Sequence, residues 1–175
     1  KDTESGMLRF TFLLLGICFY STCYAQHLRI VNAIPSSSAI DVYGRGELQF
    51  KSVPYGDVTF YGRVLEGEYD FEIRDSATNQ NLTTGKFIME DNTYYSLYAY
   101  NTYPSAALSL INDPYFVPNR HYGAVRVVNL CPDCSSLDIA YKGSYFHKSL
   151  GFKQVLGYSQ IQAPTPNDLV FYLGG

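Results

Sequence analysis

The 175-residue chain has no tryptophan, only four cysteines and only three histidines. Each scarcity excludes something. Without a tryptophan or a widely spaced cysteine pair, the marks of a true immunoglobulin domain are missing. The histidines His27, His121 and His147 and the cysteines give no second Cys/His pair at ligand spacing, so no zinc centre or other cofactor is expected. No serine or cysteine sits in a paired motif that would mark an activated nucleophile, and the expectation is that the chain is not an enzyme. Charge of one sign is also lacking: 13 Lys and Arg stand against 16 Asp and Glu, net −3, without a basic block. That balance excludes a nucleic-acid surface. Long apolar runs are scarce too, and the longest, residues 10–20, is too short to span roughly 30 Å of hydrocarbon.

Aromatic residues are abundant, with 17 Tyr and 11 Phe, and they suit pleated, half-buried strands better than helices. A 46% hydrophobic share argues for a folded chain. Only short segments read as helix, and Gly and Pro interrupt the chain often. The expected class is all-β.

Residues 28–61 are written twice. Residues 125–158 align with them without a gap, placing Arg29 on Arg126, Asn32 on Asn129 and Pro35 on Pro132. Asp41 falls on Asp138, Gly46 on Gly143 and Tyr61 on Tyr158, and about a third of the aligned positions are identical. A spacing of about a hundred residues is a module length rather than a solenoid period. The expectation is tandem immunoglobulin-like β-sandwich modules, the second one incomplete.

Residues 7–25, MLRFTFLLLGICFYSTCYA, read as a secretory signal peptide: Arg9, an apolar run, then the small-residue site Cys23-Tyr24-Ala25. Residues 1–25 are thus assigned to a leader with upstream residues, and the mature protein is expected outside the cell or at its surface, with no membrane span. Residues 26–111 form the first module. Within it Leu28, Ile30 and Asn32 share one side, Ile40 and Val42 point together, and Gly44-Arg45-Gly46 makes a tight turn. Tyr69, Phe71 and Ile73 alternate with Asp70, Glu72 and Arg74, as one buried and one wet face demand. Residues 112–121, with Pro114 and Pro118, read as a short, stiff linker. Residues 122–175 form the second module. There, residues 168–172 match 70–74 with one residue inserted, and counterparts of the later strands are absent. The two explanations are a fragment of a longer chain and a strand donated by another chain.

The repeated block resembles an extracellular family known as the domain of unknown function numbered 4397. The residues that carry the resemblance are the strand Arg29-Ile30-Val31-Asn32-Ala33, Pro35, the strand Ala39-Ile40-Asp41-Val42-Tyr43 and Gly44-Arg45-Gly46. Pro54-Tyr55-Gly56-Asp57-Val58 and Leu65-Glu66-Gly67-Glu68-Tyr69 add a glycine-aspartate loop and a strand start. The second copy departs, with Lys153 and Gln154 in place of Gly56 and Asp57. The resemblance implies a secreted or surface-attached β-sandwich and carries no established activity.

Cys131-Pro132-Asp133-Cys134 falls in a proline turn between strands, where a turn-closing disulfide is favoured over redox catalysis. Asp41 and Asp138 are expected to bind backbone amides. Asn81-Leu82-Thr83 is a glycosylation sequon. Tyr94, Tyr98 and Tyr100 share one side of a strand. If that face is wet it could stack on sugar rings or anchor a protein partner; the alternative is that these rings pack in the core or across strands. The function expected is non-enzymatic adhesion, binding or surface structure, with an unknown protein or glycan as partner. The alternative is a carbohydrate-binding module using an exposed tyrosine face.

Overall fold

The computed structural model describes residues 25–162 and 169–173. The expected leader, apart from its last residue, lies outside the described residues, as do Cys18 and Cys23. The described residues form strands and turns, with no helix. The strands are β1 (Ala25–Ala33), β2 (Ala39–Gly44), β3 (Glu47–Pro54), β4 (Gly62–Leu65), β5 (Gly67–Asp75), β6 (Asn81–Met89), β7 (Tyr94–Tyr100) and β8 (Ala107–Asn112). They continue with β9 (Tyr122–Val128), β10 (Ser136–Tyr141), β11 (Ser144–Gly151), β12 (Val155–Gln162) and β13 (Leu169–Leu173). The chain is all-β.

The first half builds two four-stranded sheets, ordered β4-β1-β7-β8 and β3-β2-β5-β6. Their facing sides share one apolar cluster. Leu28, Ile30 and Leu97 from one sheet meet Ile40, Val42, Phe71 and Ile73 from the other, and all are at most 1% exposed. The alternation in the sequence does this: β2 and the middle of β5 bury every second residue. Each such side chain contributes about 1.5–3 kcal/mol by leaving water. Strand β1 pairs antiparallel with β4 and parallel with β7, so the strand that opens the fold sits inside its sheet.

Strand β7 departs from simple alternation. After Tyr94 every residue through Tyr100 is buried, because the sheet is covered on both faces. Leu97 and Ala99 face the core, while Tyr98 and Tyr100 are 9% and 1% exposed on the far side. Of the two readings of Tyr94, Tyr98 and Tyr100, packing against other segments describes Tyr98 and Tyr100, and a wet face describes Tyr94 alone. Only Tyr94, at 40%, remains exposed, since the second half covers this end of the strand and Phe152 meets Tyr100 edge-on at 6.0 Å.

The second half has a two-stranded sheet, β12-β9, and a three-stranded sheet, β11-β10-β13. Its cluster is small: Val127, Ile139 and Leu150, with Leu137, Phe146 and Leu156 among those packed against it. Phe171 lies opposite Ile139 as Ile73 lies opposite Val42, the register that the one-residue insertion implies. Yet Phe171 is 50% exposed and Ile73 fully buried. Strand β5 has β6 on its other side, whereas among the described residues β13 pairs only with β10.

Local chemistry recurs between the halves. Asn32 Nδ2 donates to Val53 O at 3.0 Å and its Oδ1 accepts from Ile34 N at 3.0 Å. Asn129 does the same with Leu150 O at 2.9 Å and Cys131 N at 3.0 Å. Asp41 accepts from Ser52 N and Asp138 from Ser149 N, both at 2.7 Å, so each aspartate holds a bulge in the neighbouring strand. The hairpin turns Arg45-Gly46 and Lys142-Gly143 have positive φ at both positions, the geometry that matches strand twist in a two-residue loop.

Candidate functional site

The site grows from a carboxylate that opens the segment between the halves. Asp113 follows β8 and is 5% exposed. Its amide donates to Tyr94 O at 2.7 Å, which extends the β8 pairing by one step. Its side chain is thereby aimed into the outer face of the β4-β1-β7-β8 sheet, where four groups converge on it. Oδ2 accepts from Tyr61 Oη at 2.7 Å and from Ser96 Oγ, and Arg29 Nη2 stands 3.5 Å away. Oδ1 accepts from Arg126 Nη1, and Arg126 Nη2 donates to Asn112 O at 2.8 Å. Arg29 Nε also donates to Ser96 Oγ at 2.6 Å.

The two arginines occupy aligned positions of the repeated block, and each lies over the aligned tyrosine of its own half. Arg29 is 4.8 Å from the Tyr61 ring centroid and Arg126 is 5.4 Å from that of Tyr158. One carboxylate thus gathers an arginine from each half. Two guanidiniums against one carboxylate leave the node with an excess of positive charge, and its buried ions are paired as burial demands. Burial pushes the Tyr61 phenol well above the ordinary range, with the hydrogen bond to Asp113 and the carboxylate's charge adding to it. Tyr98 is raised as well, first by burial and then by the charge of Asp113.

Beside this node opens a cleft of about 280 Å³. Asp113 and Pro114 line it together with the rings of Tyr61, Tyr94, Tyr115, Phe116 and Tyr158. The rings brace one another. Phe116 stacks on Tyr158 at 5.5 Å, His27 stacks on Tyr94 at 4.3 Å, and Tyr61 meets Tyr94 edge-on at 5.2 Å. Tyr115 is 89% exposed and stands at the mouth. Such a cleft holds flat or apolar groups against rings. It carries no nucleophile and no ionised group free of protein partners.

Of the three tyrosines offered in the sequence as ligand-binding candidates, only Tyr94 lines this cleft. Tyr98 lies under the node and Tyr100 is buried further along β7. Cys131 and Cys134 form a disulfide that closes the turn after β9, away from the rings. Asn81 is exposed at the start of β6 and donates to Glu72 Oε1 at 2.9 Å. The segment read as a linker is tied to the second half by Phe116 on Tyr158 and by Asn119 N donating to Gln160 Oε1 at 3.1 Å. Asp113, Tyr115 and Phe116 lacked any sequence signal of their own. The signal for Tyr61, Tyr158 and both arginines was their recurrence at aligned positions. Among the described residues no three His, Cys, Asp or Glu side chains gather as a metal site, and no helix is long and apolar enough to cross a membrane.

A family model described as "Domain of unknown function (DUF4397)" matches residues 26–140, which takes in the first half, the node and most of the cleft, but not Tyr158. No curated protein matches the chain.

Proposed function

The chain belongs to the DUF4397 family of domains of unknown function, and from that premise we propose that it is a secreted or cell-surface, non-enzymatic protein of tandem β-modules serving adhesion, binding or surface structure. The junction carries this reading. A protein that holds a partner outside the cell gains from modules fixed in one orientation, and Asp113 joins an arginine of each half to one buried carboxylate. Export is supported by the leader pattern of residues 7–25 and suits the disulfide at Cys131 and Cys134. Asn81 stands exposed where a glycan could be added. The test has two parts. Fractionation of producing cells should place the chain outside or on the surface. Beads coated with the purified full chain should be retained on extracellular material and envelopes of the producing organism above albumin-coated beads. Cytosolic chain together with no retention overturns the proposal.

A second reading is carbohydrate binding. It moves from the β7 tyrosines, which are largely covered, to the aromatic cleft beside Asp113. Stacking rings that carry phenol hydroxyls suit a ligand that is apolar on its faces and polar at its edge.

A further inference from the structure

Resting on that second reading, we infer that the cleft between Tyr94 and Phe116 binds an uncharged pyranose unit of a saccharide. Charge decides the class first. The one ionisable carboxylate lining the cleft has Tyr61, Ser96 and Arg29 around Oδ2 and Arg126 on Oδ1. It has little capacity left for a cationic ligand. The aromatic faces do not make a cage for a quaternary ammonium either, because Arg29 already lies over Tyr61 and Arg126 over Tyr158. A second cation on either ring would share it with a guanidinium already 4.8 Å from the Tyr61 centroid or 5.4 Å from that of Tyr158. An anion fares no better, since neither guanidinium lines the cleft and each lies against a tyrosine ring. An uncharged ligand is what remains.

Shape and polarity narrow it further. A proline-rich peptide in its extended helix rises about 3.1 Å per residue and needs several successive slots along a groove. Here there is one cleft of about 280 Å³, near the lower end of ligand-site volumes. That suits a single ring with the rest of a chain leaving through the open mouth. The aliphatic C–H face of a pyranose packs on an aromatic plane, and its hydroxyls reach outward. Tyr94, Tyr115 and Tyr158 line the cleft, and each carries a phenol that can both donate and accept. Phe116, stacked on Tyr158, and Tyr94, backed by His27, are braced before any ligand arrives, so little ordering entropy is lost on binding.

The test uses the purified full chain on a glycan array, then affinity electrophoresis in gels cast with neutral glucans, mannans, galactans or xylans. Polygalacturonate and soluble poly-L-proline serve as comparison probes. Retardation by at least one neutral polysaccharide is expected, nearly unchanged between low and high salt. Phe116→Ala and Tyr115→Ala should each weaken it about tenfold or more, with near-ultraviolet circular dichroism showing an intact fold. Phe60→Ala, at a ring that is 96% exposed and outside the cleft, should leave it unchanged. Binding confined to polygalacturonate and lost with salt would overturn the inference. So would binding of poly-L-proline alone, or neutral-sugar binding indifferent to both cleft substitutions. If coated beads are retained on envelopes and no neutral glycan binds, the adhesive role stands and this inference falls. If neutral glycans bind but the chain stays in the cytosol, the inference stands and the extracellular role falls.

Discussion

Tyr61 Oη donates to Asp113 Oδ2 at 2.7 Å, so a phenol of the first half holds the carboxylate on which the second half's Arg126 closes. Replacing Asp113 with Asn would leave Arg29 and Arg126 facing each other without their shared counter-charge. Breaking a buried ion pair from one side costs about 3–5 kcal/mol. Tyr61→Phe removes only one hydrogen bond to a charged group, about 1.5–3 kcal/mol. Urea unfolding should therefore rank wild type above Tyr61→Phe above Asp113→Asn. Equal losses for the two variants would show that Asp113 is held mainly by Tyr61 and that the arginines matter little.

The paired asparagines offer a within-molecule comparison. Asn32 and Asn129 are both fully buried, and each satisfies one backbone amide and one carbonyl. Replacement by Ala strands those two groups without water, at about 1–3 kcal/mol per unsatisfied group. Asn32→Ala should lower the main unfolding transition, because Ile34 sits in the large core. Asn129→Ala should lower protection from hydrogen exchange most over residues 122–162, where its two backbone partners lie.

Strands whose two faces differ showed in the sequence which face turns inward, whereas a strand whose faces match showed as a strand without showing what covers it. Tyr69, Phe71 and Ile73 announce an inward face because Asp70, Glu72 and Arg74 stand between them. Strand β7 carries apolar or small residues on both sides, and nothing local tells that Tyr98 and Tyr100 will be covered by a segment beyond residue 112. Strand β4 is four residues long, too short for alternation to register. The node was half legible: Arg29 and Arg126, Tyr61 and Tyr158 recur at aligned positions. Asp113 lies outside the repeated block, so its role as their common partner emerges only when the halves meet.

For the cysteine pair the expected effect is small. The disulfide spans the turn where Cys134 N donates to Cys131 O at 3.3 Å, and the first half makes the same turn without it, Ser37 N donating to Ile34 O at 3.3 Å. A loop this short places the gain at the low end of the roughly 0–5 kcal/mol range for disulfides. The double variant Cys131→Ser with Cys134→Ser should keep its fold and lose about 1 kcal/mol or less. Thiol counting on freshly purified protein whose N-terminus is near Gln26, and which therefore lacks Cys18 and Cys23, should find none before reduction and two after. Free thiols at the outset would refute the pairing.

Alkaline titration gives a readout of the junction. Tyr61 and Tyr98 hold their protons above the ordinary tyrosine range, about 10, because burial and Asp113 oppose the phenolate. A folded-state value raised above the unfolded one means the contribution to stability is complete below about pH 10 and is lost as pH climbs toward the raised values. Phenolate absorbance should rise in two stages, exposed tyrosines first and the last rings only as the fold gives way. Tyr61→Phe should shrink the late stage. A single smooth rise with the fold intact would contradict the burial of these phenols. At the acid end Glu72, held down chiefly by its hydrogen bond from Arg74, and Asp75, held down by its bonds from Thr78, act in the opposite sense. Their contribution is present at neutral pH and lost as pH falls below the usual carboxylate range, about 4.

The last prediction concerns the unequal halves. The first half carries fifteen buried residues in one cluster between two four-stranded sheets. Among the described residues the second has three, Val127, Ile139 and Leu150, and exposes Phe171 and Leu173 along β13. Net stability of a domain is a small remainder of burial over chain entropy, and a core that small leaves none. Residues 25–112 expressed alone should melt cooperatively, at a lower temperature than the full chain. They lose Asp113 and Phe152, so Arg29, Tyr98 and Tyr100 become exposed to water. Residues 113–175 alone should show no cooperative transition and should bind a hydrophobic dye. In the full chain the second half should then melt with the first, as one transition, because the sheet face it covers and the Asp113 node are what hold it. Two resolved transitions in calorimetry of the full chain would mean that the second half carries its own stability. A cooperative melt of residues 113–175 that appears only on oligomerisation would point instead to the free edge of β13, paired on one side only among the described residues, taking a strand from a neighbour.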